Sequence, residues 1–165
     1  DQALRAFAQV HRGRSNATMT IVGDGPERHR LRRLARQLQI QGQVTWTGSQ
    51  SREQVLRIMR DSTALLVAST VETFSVAAIE ALASGVPVVA TRCGGPEFFV
   101  TENDGVLTRG HDSFAIAEAL ELFEARRSEF DSQTISASCR ARFSGEAVAA
   151  QIEAMWREAL AGRSN

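Results

Sequence analysis

Apolar positions recur along this chain in two rhythms, and the alternation of the two is its plainest feature. Residues 2–10 place Ala3, Leu4, Phe7 and Val10 at helical spacing. A polar loop over residues 12–16 follows, then a β-branched strand over residues 18–22 that ends in Gly23-Asp24-Gly25-Pro26. Residues 26–38 return to the helical period, with Leu31, Leu34, Ala35 and Leu38 on one face and Pro26 suited to the first helical position. Residues 44–47 read as a short strand closed by Gly48. Ser51 and Gln54 have capping-box spacing, which opens a helix running to about Arg60. Two apolar runs, residues 64–68 and 86–90, are long enough for buried strands. Between them lies a helix with Val76, Ile79 and Ala83 on its inward face and Ala77, Ala78 and Ala81 filling in. Residues 106–108 form a last strand. Asp112 caps a helix to about Phe123, with Ile116, Leu120 and Phe123 inward, and residues 133–141 form a short helix. Ser144 starts a final helix over about residues 144–161, whose stripe of Val148, Ile152, Met155, Trp156 and Leu160 reads as core packing.

Short strands alternating with helices predict an α/β domain with a doubly wound parallel sheet, one domain over residues 1–165. A helix that begins at residue 2, with no strand before it, reads as a βα unit cut after its first strand. On that reading the sequence is a fragment of something longer.

Composition narrows the function classes. The chain has 165 residues, 43% apolar and 23% charged, with 19 basic and 19 acidic side chains and no net charge. That balance argues against a general nucleic-acid binder. The basic face of the second helix, Arg28, Arg30, Arg32, Arg33 and Arg36, reads as a solvated surface. Every basic residue is Arg, so no lysine nucleophile or phosphate-gripping lysine comes from this sequence, and the bias points to a GC-rich bacterial genome. His11, His29 and His111 sit in polar surroundings and are expected at the surface. Cys93 and Cys139 are too few for a disulfide framework, which makes a cytoplasmic setting the default. No apolar run approaches the roughly 20 residues that span a bilayer. Gly23-x-Gly25 is a turn bordering the expected crevice, without the third glycine of a dinucleotide fingerprint.

The candidate chemistry lies in residues 69–85. Glu72 falls at the turn between the strand 64–68 and the following helix, and Glu80 falls inside that helix among small apolar residues. A charge there is expensive to bury unpaired. Ligands of open α/β sheets sit beyond the carboxyl ends of the strands, where sequence order alone puts Glu72. A bland alternative has Glu72 capping the helix and Glu80 on a solvated edge; two carboxylates in one apolar βαβ unit favour function. Gly94, Gly95 and Pro96 end the next strand, where glycines let backbone approach a ligand or simply turn the chain.

Glu72, Glu80, the run from Ala81 to Thr91 and Gly94-Gly95-Pro96-Glu97 together resemble the retaining GT-B glycosyltransferases of the "glycosyl transferases group 1" family. The turn at residues 22–26, Val44 with Gly48, and Arg142-Phe143-Ser144 resemble it too, so the likeness runs along almost the whole chain. It implies the C-terminal, donor-binding half of a GT-B fold, Rossmann-like and lacking its first strand. It implies that Glu72, the catalytic-site residue, contacts the donor sugar. Backbone around Thr73, Phe74 and Ser75 would face sugar and diphosphate, with Thr73 and Ser75 standing where the family usually has Gly or Ser and Gly. Glu80 would bind the nucleotide ribose. The loop 49–52, including Gln50, would hold the base, and Gly23 would border the donor. The substrate implied is a nucleoside-diphosphate sugar, such as a UDP-sugar, used in carbohydrate biosynthesis without a metal or other cofactor. The implied partner is an N-terminal acceptor domain of the same protein, and the full-length protein would be cytoplasmic or peripheral at the inner membrane face. The family's diphosphate-gripping Arg and Lys would lie upstream of Asp1, so the chain alone is expected to be inactive.

Overall fold

In the computed structural model the described residues are 1–161 except Gly13 and Ser15. Those two, within the loop expected over residues 12–16, and the last four residues of the expected 1–165 domain lie outside them. Helices and parallel strands alternate as the hydrophobic pattern predicts. They are α1 (Gln2–His11), β1 (Met19–Val22), α2 (Arg28–Gln37), β2 (Val44–Gly48), α3 (Arg52–Arg60), β3 (Leu65–Val67), α4 (Val76–Ala83), β4 (Val88–Ala90), β5 (Gly105–Leu107), α5 (Ser113–Arg126), α6 (Ser132–Phe143) and α7 (Gly145–Ala161). Short 3₁₀ turns lie at Gly95–Phe98 and Arg127–Glu129.

Side-chain chemistry explains where the helices begin. Ser51 and Gln54 form the reciprocal capping box expected of them, at 3.3 and 2.9 Å. Asp112 accepts hydrogen bonds from the Phe114 and Ala115 amides, and Asp131 accepts one from Thr134. Pro26 does not occupy the first position of α2: the Arg28 amide donates to the Gly25 carbonyl at 3.1 Å and closes a turn over residues 25–28, with Pro26 and Glu27 at its centre.

The strands pair in parallel in two groups, β2-β1 and β3-β4-β5. No strand precedes α1 among the described residues, and none pairs with both β1 and β3. Helix α1 joins the two groups. Its Leu4, Phe7 and Ala8 pack with α2, β1 and β2, while its Ala6 and Val10 pack with Ile116 and Ala117 of α5 and with Leu66 of β3. The three-stranded group is covered on both faces. Val67, Val88 and Ala90 face α3, α4 and α6, whereas Leu66, Val89 and Val106 face α5. This two-residue alternation is what a doubly wound sheet requires. Strand β4, in the middle, is fully buried.

Three expectations are corrected by packing. The inward face of α4 centres on the fully buried Ala78, Ala81 and Leu82, with Ile79 and Ala83 packed beside them as expected, while Val76 is exposed. Small residues at that face let the helix lie close on β3 and β4. His11 is buried rather than superficial: its ring packs 5.0 Å from that of Phe7, and burial pushes its pKa down. The stripe on α7 is not core. Met155 and Trp156 are 67% and 71% exposed, with Val148, Ile152 and Leu160 exposed beside them. Contact between α7 and the domain is made at its beginning, where Ser144 caps it and Gln151 donates to the Arg142 carbonyl.

Arg142 ties this end of the domain to the sheet. It donates to Asp104 at 2.9 Å, to the Phe99 carbonyl at 2.8 Å and to the Ser138 carbonyl at 3.2 Å. Asp104 is almost wholly buried and also accepts from the Thr101 amide and hydroxyl. Replacing Arg142 by Ala leaves that carboxylate without its cation. Thr101 continues to satisfy it in part, so we expect a loss of about 2–3 kcal/mol, at the low end for a broken buried pair. Urea unfolding measures it, and a loss below about 0.5 kcal/mol would show that Thr101 alone suffices.

Candidate functional site

Parallel strands all point one way, so their carboxyl ends form one rim. Gly23 and Gly48, at the ends of β1 and β2, stand at positive φ (113° and 69°) and are pinned together by the Gly23 amide donating to the Gly48 carbonyl at 2.8 Å. Asp24 follows. The Gly25 amide bonded to it holds its carboxyl below the usual range, with Arg28 adding to the effect. Gln50 spends its side-chain amide on the Thr47 carbonyl at 2.8 Å, which closes the turn after β2.

The ends of β3 and β4 carry the residues of greatest interest. The β3–β4 ladder does not stop at Ala90. Thr91 donates its amide to the Val67 carbonyl and its hydroxyl to the Ser69 carbonyl. The Glu72 amide then donates to the Cys93 carbonyl, and the Gly95 amide donates to the Glu72 carbonyl, both at 2.7 Å. Glu72 is thus fixed as a parallel bridge partner of Gly94. Its half-buried carboxylate accepts one hydrogen bond, from the Ser69 hydroxyl to Oε1 at 3.0 Å.

Gly94 and Gly95 have a different purpose from the ligand approach considered from sequence. A Cβ on Gly95 would lie 2.5 Å from the Cα of Phe74, and one on Gly94 would lie 2.6 Å from the Glu72 carbonyl oxygen. These glycines let the 72–75 loop press against the β4 turn. Ser75 sits at the junction with α4 in the left-handed region (φ 64°, ψ 73°), a conformation that favours glycine. Its side chain makes no capping hydrogen bond, so the first amides of α4 have no side-chain acceptor. Thr73 and Phe74 are exposed, and the Phe74 ring packs against Phe99 and Phe143 at 5.8 and 6.2 Å.

Glu80 lies further along α4. Its carboxylate is 24% exposed and pairs with the guanidinium of Arg52, the first residue of α3, at 3.1 Å. The loop 49–52 was expected to contribute backbone; the Arg52 side chain is an addition that its sequence position did not announce. Of the predicted site residues, Glu72, Thr73, Phe74 and Ser75 form one continuous loop, Glu80 meets the start of α3, and Gly23 pairs with Gly48 beside Gln50. Ser69, Gly94 and Gly95 join the first group by contact.

Residues 1–138 match the family profile described as "Glycosyl transferases group 1". The chain belongs to that family. It is 28% identical over 165 residues to N-acetyl-alpha-D-glucosaminyl L-malate synthase of Bacillus anthracis, covering 98% of this chain and 42% of that protein. Among solved structures, sucrose-phosphate synthase from Thermosynechococcus elongatus is similar with a TM-score of 0.80 and 27% identity, over 98% of this chain and 42% of its own. Anabaena HepE, solved with UDP-glucose, is similar with a TM-score of 0.78 over 95% of this chain and 44% of its own, and at 22% identity it speaks to fold alone. These neighbours are GT-B glycosyltransferases, and the chain shares their Rossmann-like half. It spans well under half the length of each.

Ser75→Gly is expected to stabilise the domain by about 0.5–1 kcal/mol, because relief of left-handed strain exceeds the added chain entropy. Gly95→Ala is expected to cost more than about 2 kcal/mol, since the new methyl meets backbone. Denaturant midpoints of the two variants test both. A stable Gly95→Ala protein would mean that the 72–75 loop yields easily.

Proposed function

We propose that this chain is the C-terminal, donor-binding half of a retaining glycosyltransferase. It binds a nucleoside-diphosphate sugar, with a UDP-sugar as the leading candidate, and the acceptor is held by another domain of the same protein. The observation that carries this reading is the 72–75 loop. A fixed carboxylate at Glu72 stands directly before the uncapped N-terminus of α4, so that a hydroxyl-binding group and a diphosphate-binding group are neighbours on the rim.

In this reading the free carboxylate oxygen of Glu72 accepts hydroxyls of the sugar. The amides from Thr73 through the first turn of α4 face the diphosphate, whose charge grows as the glycosidic bond breaks with retention at the anomeric carbon. Glu80 accepts the two ribose hydroxyls, Gln50 and the loop 49–52 shape the pocket for the base, and Gly23 borders it. Charge neutralisation by the helix end and by basic residues of the longer protein makes the reaction independent of a bound metal. A second reading, a sugar-nucleotide-binding module without turnover, predicts donor binding with no transfer from a labelled donor.

Calorimetry of the intact protein with UDP, GDP, ADP and NAD tests the ligand class. We expect a nucleoside diphosphate to bind, and Glu80→Ala to weaken it about 10- to 100-fold, the value of hydrogen bonds to a charged acceptor. An unchanged dissociation constant would sink the ribose role. Binding of NAD with none of the diphosphates would sink the donor reading itself. Glu72→Gln is expected to cut sugar transfer from a labelled donor about 100-fold while UDP binding stays within about twofold. Full transfer by that variant removes Glu72 from the site.

A further inference from the structure

The pairing of Arg52 with Glu80 has features that a surface ion pair does not need. Arg52 is the first residue of α3, the positive end of a helix, where a cation is disfavoured and a carboxylate preferred. Its side chain is 81% exposed, yet it reaches across to another helix. Glu80 is its one carboxylate partner among the described residues. The contact is made by one guanidinium nitrogen to Oε1 at 3.1 Å, which leaves Oε2 open to a ligand hydroxyl.

The donor reading creates a problem that this arrangement solves. A nucleoside diphosphate is a polyanion, and the rim offers it two carboxylates, Glu72 and Glu80. Two hydroxyls from a ribose satisfy the hydrogen bonds of Glu80 but leave its charge, which the ligand would both desolvate and repel. We propose that Arg52 is a charge-balancing residue for the nucleotide. It stays paired with Glu80 when the ligand binds and cancels the repulsion between that carboxylate and the diphosphate. In the empty crevice the pair is solvated and weak. Ligand binding excludes water and lowers the local dielectric, so the pair strengthens when it is needed. This inference rests on the assignment of Glu80 to the ribose.

The test compares UDP with uridine, which has the same ribose and base but no charge, using Arg52→Ala, Arg52→Lys and Glu80→Gln in the intact protein. Because Arg52 is exposed, its variants are expected to keep the wild-type melting temperature. Arg52→Ala is expected to raise the Kd for UDP roughly five- to tenfold and the Kd for uridine no more than about twofold. Arg52→Lys is expected to restore most of the loss. In the Glu80→Gln background, where no charge needs balancing, removing Arg52 is expected to change UDP binding no more than about twofold. A structural role for Arg52 would move both ligands alike. If Arg52→Ala binds UDP as tightly as wild type, or more tightly, while Glu80→Ala still weakens it, the role of Arg52 is overturned and the donor reading stands. If Glu80→Ala has no effect either, both fall together.

Discussion

The β3–β4 ladder governs the rest of the molecule. Its register, Leu65 to Val88 through Val67 to Ala90, is set by side chains buried on both faces of β4. A slip of one residue would turn every one of them to the wrong face. The same ladder resumes beyond the strands, through Thr91, Cys93 and Gly95, and ends by holding Glu72. The backbone of Glu72 is therefore placed by main-chain hydrogen bonds anchored in the core, and the Ser69 hydroxyl orients its carboxylate. Glycine at 94 and 95 is the steric condition for it.

The second constraint is α1. Its two sides serve the two groups of strands and hold them side by side. The exposed backs of β1 and β2 contrast with the enclosed β4. Burial thus rises from the β1–β2 end toward β4.

Much of this was legible in the sequence because it is local. Helical periodicity located the helices, β-branched runs located the strands, and Ser51 with Gln54 announced a cap that formed in full. The Glu72 and Glu80 pair and the glycine turn were visible as an unusual spacing. Contacts between distant segments were not legible. Periodicity could not say that Val76 faces water while Ala78 faces the sheet, since both fit an apolar helix. It could not show that His11 is buried under Phe7, that Arg142 reaches Asp104, or that Arg52 reaches Glu80. The stripe on α7 has the pattern of a core helix, and whether such a face is covered is decided by what lies beside it. Nor could the sequence show that Ser75 adopts the left-handed conformation, which appears only in three dimensions.

The loop at the site separates what it presents from how it is mounted. Thr73 and Phe74 expose their side chains, while the main chain on either side is locked by Glu72 and by α4. Substitution at Thr73 alters the surface offered to a ligand and leaves the supporting amides where they are, whereas substitution at Phe74 also removes its packing on Phe99 and Phe143.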